Sequence, residues 1–307
     1  MSVTNFIFKW TLRIIQPKEA KRMEQDGPIA LPKLRGAMPA DTEYVFIDDQ
    51  GADTTVFAYS GMDALFAGRA RYEFKRIFRS LSVPCNLVCF RDPRTTSFHL
   101  SLDGKSPGID FYAEKTREIM AQLGATYNIA LGSSSGGMSA FTFATMCNMD
   151  KVVGFSPAFP HTVYRGWNHY LQSLFNFRTL LREPQAYVEV LIVTIAVVWL
   201  EDVALKRMAL DPPIGVWDAW GIYESAGDTR PPATVYYGVR SPADSRQALR
   251  LAEAFPDHIH LEPLDTARHN CPAVLLQQNK LIEVLDREVS AVAMSGKSNS
   301  EEGPLLP

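Results

Sequence analysis

Residues 127–147 read YNIALGSSSGGMSAFTFATMC, and the fold turns on whether the serine triplet at their centre is a nucleophile or only a small-residue turn. Tyr127 to Leu131 is a short aromatic and aliphatic run with strand character, while Gly137 to Cys147 has few charges and a helix-compatible composition. Between them, Gly132-Ser133-Ser134-Ser135-Gly136 matches G-x-S-x-G with Ser134 in the middle. A serine lifted on a sharp strand-to-helix turn takes up strained backbone angles, and only small neighbours let strand and helix approach so closely. Gly132, Gly136 and Gly137 supply that room. The helix that follows aims its N-terminal N–H groups and its dipole at any oxyanion formed there.

Working outward, short strand-like runs alternate with segments of helical period. Residues 44–48, 55–59, 86–90, 127–131, 151–155, 234–238 and 258–264 are the expected strands, and 72–81, 111–123, 137–147, 246–255 and 273–289 the expected helices. Such alternation implies an α/β architecture with a mostly parallel central sheet and helices on both faces. In sheets of that kind, sites lie beyond the carboxyl ends of the strands. Residues 1–40 read as a peripheral extension, and the polar, aperiodic residues 293–307 as a disordered tail.

Composition excludes several classes. With 31 Lys and Arg against 34 Asp and Glu, the net charge of −3 gives no footprint for nucleic acid or an anionic membrane. Cys85, Cys89, Cys147 and Cys271 sit in apolar settings outside any CxxC pair, which fits a reduced, cytoplasmic compartment. The N-terminal apolar run contains Lys9 and Arg13 and fails as a signal peptide, and residues 188–200 are too short to span a bilayer, which takes about 20 apolar residues. No metal cluster, dinucleotide fingerprint or phosphate loop is present in the sequence, so no cofactor is expected.

From about Tyr44 to Val289 the chain resembles the α/β-hydrolase superfamily, in its G-x-S-x-G turn and in its strand order. The resemblance implies that Ser134 is followed by an acid and then a histidine. Asp244, after the strand at 234–238, and His269, after the strand at 258–264, fall in that order and on the same rim as Ser134. His269 would take the Ser134 proton while Asp244 holds the imidazole. A helix N-cap is the competing reading of Asp244. Asp265 follows its strand too directly to be a good second choice for the acid, and the loop after residue 155 carries no carboxylate. The resemblance also implies two backbone donors for the oxyanion, the N–H groups of Ser135 and of Met62 after the Ser60-Gly61 turn. Relatives often carry His-Gly where this chain has Ser-Gly.

Arg91, Asp92 and His99 follow the strand at 86–90 and would face the same rim, as solvated loop residues or, for His99, as a substrate contact. Residues 159–229 interrupt the alternation and read as a helical cap inserted into a core formed by 41–158 and 230–292. The cap holds Trp167, Trp199, Trp217 and Trp220; Trp167, Trp217 and Trp220 are possible substrate contacts, against the plainer reading of a small core within the cap. The expected function is serine hydrolysis of a carboxylic ester or other activated acyl bond on a small, possibly apolar acyl substrate. An acyltransferase using the same three residues, or a catalytically silent binding protein of the same fold, are the alternatives.

Overall fold

The computed structural model describes residues 42–61, 72–94, 97–104, 106–159, 181–182, 184, 186–187 and 218–301. Seven strands form one sheet: β1 Val45–Asp48, β2 Thr54–Tyr59, β3 Asn86–Phe90, β4 Tyr127–Ser133, β5 Lys151–Phe155, β6 Ala233–Gly238 and β7 Ile259–Leu264. Their order across the sheet is β1-β3-β2-β4-β5-β6-β7. β1 pairs antiparallel with β3, and every other pairing is parallel. The helices are α1 Lys75–Phe78, α2 Gly108–Leu123, α3 Ser135–Met146, α4 Ala219–Ser225, α5 Pro242–Ala254, α6 Cys271–Gln277 and α7 Leu281–Glu301. This is the α/β-hydrolase fold.

The inner strands are apolar on both sides because helices cover both faces, so successive residues feed two separate cores. Phe57, Tyr59 and Ala130 point into one, with Tyr112, Phe141, Phe143, Tyr223 and Leu251 from α2, α3, α4 and α5. Val56, Ala58, Ile129 and Leu131 point into the other, with Phe78, Leu275, Leu285 and Val289 from α1, α6 and α7. Ten consecutive residues of α3, from Ser135 to Ala144, are buried, which explains a helix with few charges. Its hydroxyls turn inward on the backbone: Ser139, Thr142 and Thr145 donate to the carbonyls four residues back at 3.0, 3.1 and 2.8 Å.

Several expectations are corrected. The helix expected over 72–81 is cut to Lys75–Phe78, because Phe74 adopts φ 66° and swings into the core against Phe155. The helix expected over 273–289 is two, divided at Asn279 with φ 58°. α7 then runs on to Glu301, so residues 293–301 continue a helix where a disordered tail was expected. α4, placed in the insertion by the sequence, packs on the main core through Tyr223, which is fully buried against Phe141 and Phe255. Residues 1–41, 160–180 and 188–217, with Trp167, Trp199 and Trp217, lie outside the described residues.

Among the described residues no helix is long and apolar enough to cross a membrane. The four cysteines are buried free thiols, and burial pushes Cys85 and Cys147 up to about 11 and Cys89 up to about 12.

Candidate active site

β4 ends at Ser133 and α3 begins at Ser135, which leaves Ser134 alone on the turn with φ 55° and ψ −123°. Side-chain-bearing residues seldom adopt such angles, and they persist only where the surroundings over-determine them. Here they do. The Ser134 N–H donates to Phe155 O at 2.9 Å, and Ser134 O accepts from Met138 N at 3.2 Å and Ala158 N at 3.0 Å. Glycine is required on either side: a Cβ at Gly132 would stand 2.1 Å from Gly136 O, and one at Gly136 would stand 2.2 Å from Tyr59 O. Ser133 and Ser135 are buried, and Ser134 alone of the triplet reaches solvent.

His269 lies between β7 and α6, in a loop drawn over the end of β6. Arg240 N–H donates to Thr266 O at 2.9 Å, and a Cβ at Gly238 would meet Thr266 O at 2.8 Å. Asn270 caps α6 by accepting from Ala273 N at 3.1 Å, which fixes the chain immediately after the histidine. Asp244 is the third residue of α5, a correction to its expected place in the preceding loop. The N-cap is Ser241, whose side chain accepts from Asp244 N, so the competing N-cap reading of Asp244 falls to its neighbour. Asp244 is 3% exposed.

The three side chains form one hydrogen-bonded line. Ser134 Oγ lies 2.8 Å from His269 Nε2, and His269 Nδ1 lies 2.8 Å from Asp244 Oδ1. With the proton on Nδ1 donated to the carboxylate, Nε2 is left to accept from the serine hydroxyl. Asp244 Oδ2 is buried with no hydrogen-bond partner among the described residues. A carboxylate so enclosed keeps its interaction with the imidazole in a low-dielectric setting. Asp265 points elsewhere: its side chain is 88% exposed and pairs with Arg240 at 3.0 Å.

Of the expected oxyanion donors, Ser135 opens α3, where the first N–H groups have no acceptor within the helix. Met62 lies outside the described residues. The Ser60-Gly61 turn before it abuts the serine turn directly, since the same Cβ at Gly136 would come within 2.8 Å of Gly61 N. Gly61 N–H is itself taken, donating at 3.0 Å to the carboxylate of Glu73, a residue that no sequence pattern singles out.

In the charged stretch after β3, Arg91 stays half-buried, its Nε donating to Glu43 O at 2.7 Å, while Asp92 and Arg94 turn inward. Asp92 accepts from Arg94 N and Phe98 N at 2.9 and 3.0 Å, and the fully buried Arg94 donates to Ser101 O and Leu102 O at 2.7 and 2.6 Å. His99 is 5% exposed, with Nδ1 3.1 Å from Ser97 O. These side chains fold their own loop. Trp220, half-buried, packs against the edge of the core on Phe255 and Phe159, with ring centroids 5.2 and 6.1 Å apart.

No protein-family model matches the chain, and no curated protein is similar to it. Solved structures do resemble it. A protein of unknown function from Staphylococcus aureus subsp. aureus Mu50 superposes with a TM-score of 0.53 at 14% identity, over 81% of this chain and 93% of that one. A carboxylesterase from the thaumarchaeon Nitrososphaera gargenis gives 0.48 at 11% identity, over 84% and 98%. A chain of the glycosylation-associated protein complex of Streptococcus agalactiae gives 0.49 at 15% identity over 83% of this chain; this chain spans 46%, about half, of its length. At these identities the likeness is one of fold.

Proposed function

We propose that the protein is a serine hydrolase that cleaves a carboxylic ester or another activated acyl bond through an acyl-enzyme. The observation that carries this reading is the unbroken line from Ser134 Oγ through His269 to Asp244, with both links at 2.8 Å. Fold alone would not license the chemistry, because one fold hosts many functions.

In this reading, Ser134 Oγ attacks the acyl carbon as His269 Nε2 takes its proton. The Ser135 N–H, at the positive end of α3, receives the developing oxyanion, together with the peptide that follows the Ser60-Gly61 turn. His269 then protonates the leaving group, and water repeats the sequence to release the acid. Asp244 holds the imidazole tautomer and stabilises its cationic form.

The test is labelling of the folded protein with a fluorophosphonate, alongside turnover of aryl esters. The expected result is one label, on Ser134, and a burst of phenol matching the label in stoichiometry. Folded protein that stays unlabelled and inert would overturn the reading.

A further inference from the structure

Resting on that reading, we propose that Glu73 is a positioning residue, whose carboxylate fixes the Ser60-Gly61 turn against the nucleophile turn and so sets the second wall of the oxyanion site. Glu73 and the turn are tied reciprocally. Gly61 N–H donates to Glu73 Oε2 at 3.0 Å, and Glu73 N–H donates to Ser60 Oγ at 3.2 Å. Thirteen residues apart in the chain, the two are latched in the manner of a capping box, each satisfying a backbone donor of the other. Both ends of the latch are anchored in the sheet. Ser60 N–H donates to Phe90 O at 2.9 Å, and Cys89 Sγ lies 3.7 Å from Glu73 O, so the end of β3 holds the turn and the glutamate alike.

The latch matters because nothing cushions the turn from the nucleophile. A Cβ at Gly61 would stand 2.9 Å from Ser133 O, and one at Gly136 would stand 2.8 Å from both Gly61 N and Ser60 C. The two turns meet backbone to backbone, and a tilt of the Ser60-Gly61 peptide passes directly to the space beside Ser134. With the carboxylate as its acceptor, the Gly61 N–H does not serve as the second oxyanion donor. A charge-assisted bond suits this task, since it holds a glycine whose own side chain supplies no restraint.

The experiment measures kcat and KM for an aryl ester, together with hydrogen exchange at the Gly61 amide, in the wild type, Glu73→Ala and Glu73→Gln. Gln keeps an oxygen acceptor and drops the charge, so it separates the bond from the electrostatics. Glu73→Ala is expected to lower kcat about 10- to 100-fold with KM changed by no more than roughly twofold, the signature of a contact realised in the transition state. Its Gly61 amide should exchange faster than in the wild type. Glu73→Gln should recover kcat to within about threefold and restore protection. If Glu73→Ala does not fold, Ser60→Ala removes the return bond and should lower kcat with the same split. Faster exchange at Gly61 with wild-type kcat would overturn the positioning role, as would unchanged exchange. A wild type that neither labels nor turns over, with Gly61 still protected by Glu73, would instead bring down the serine-hydrolase reading and the catalytic part of this inference with it.

Discussion

Gly136→Ala offers the sharpest separation of catalytic geometry from stability. The new Cβ would stand 2.2 Å from Tyr59 O, where ordinary contact begins near 3.4 Å, so α3 and the end of β2 must part by about 1 Å. None of the atoms it meets is a flexible side-chain tip: Tyr59 O, Ser60 C and Gly61 N are backbone of the end of β2 and of the turn that follows it. Overpacking of this kind costs roughly 1–3 kcal/mol. Alanine's helix propensity returns up to about 1 kcal/mol, less in the first turn. For a domain of this size each kcal/mol moves Tm by about 2–4 °C, so a fall of several degrees is expected. The same displacement of about 1 Å moves Ser134 relative to His269 and should lower kcat/KM for an aryl ester by about 10²-fold. Gly227→Ala is the control: its φ of 55° makes alanine cost roughly 1–2 kcal/mol, yet a Cβ there meets nothing within 4 Å. Both variants should lose stability, and only Gly136→Ala should lose turnover. Thermal unfolding and steady-state kinetics on the pair decide the matter. A Gly136→Ala protein with wild-type kcat/KM, or with a Tm at or above wild type, would refute the reasoning.

Ser134→Ala should abolish fluorophosphonate labelling and lower turnover by about 10⁴-fold or more, while Ser133→Ala and Ser135→Ala keep most of both, read by mass spectrometry of the labelled peptide. Asp244→Asn should leave the fold intact and cut kcat by about 10³–10⁴-fold, because the amide admits the wrong imidazole tautomer; stopped-flow burst kinetics would show it in acylation. Trp220→Ala should cost roughly 2–3 kcal/mol in denaturant unfolding, below the full-burial value, and leave the dependence of kcat/KM on acyl chain length unchanged. Glu288→Leu strands Lys151, now 2.7 Å from the Glu288 carboxylate, and should cost about 3–5 kcal/mol, with Lys151→Met in the same chain recovering much of it. Burial works against the Glu288 carboxylate, but Lys151 and the Tyr236 hydroxyl hold it below its ordinary value of 4.5. Its contribution is therefore present above about pH 4.5 and lost as pH falls through the lower folded value, a loss the Glu288→Leu protein should not show in acid unfolding.

The strands were the most legible part of the sequence. A strand buried on both faces must be apolar at nearly every position, so runs such as 86–90 and 151–155 announce themselves without reference to anything distant. Helix ends were read less well. Ser241, Pro242 and Asp244 make a capping start that places Asp244 inside the first turn, and the pattern is present in the sequence. The break at Asn279 depends on one left-handed residue that asparagine tolerates but does not announce. In the loop after β3 the charges of Asp92 and Arg94 are spent internally, on backbone groups up to eight residues away. Burial of Arg94 leaves no local signature. The order Ser134, Asp244, His269 could be read because each follows a recognisable strand. Glu73 could not, since its partner lies twelve residues back across a segment with no periodicity.

The line through Ser134, His269 and Asp244 draws on residues 135 and 25 positions apart. That separation has a consequence for synthesis of the chain. The strand and helix that present Ser134 are complete by residue 146, whereas its partners arrive only with α5 and with the loop beyond β7. Contacts between remote segments are made late, after the entropy of closing long loops has been met. A nascent or truncated chain ending before β7 would thus display the serine with no base beside it. In the proposed reading, hydrolytic competence is a report that the last strand has docked, and an interrupted translation product would be chemically inert toward the acyl groups around it.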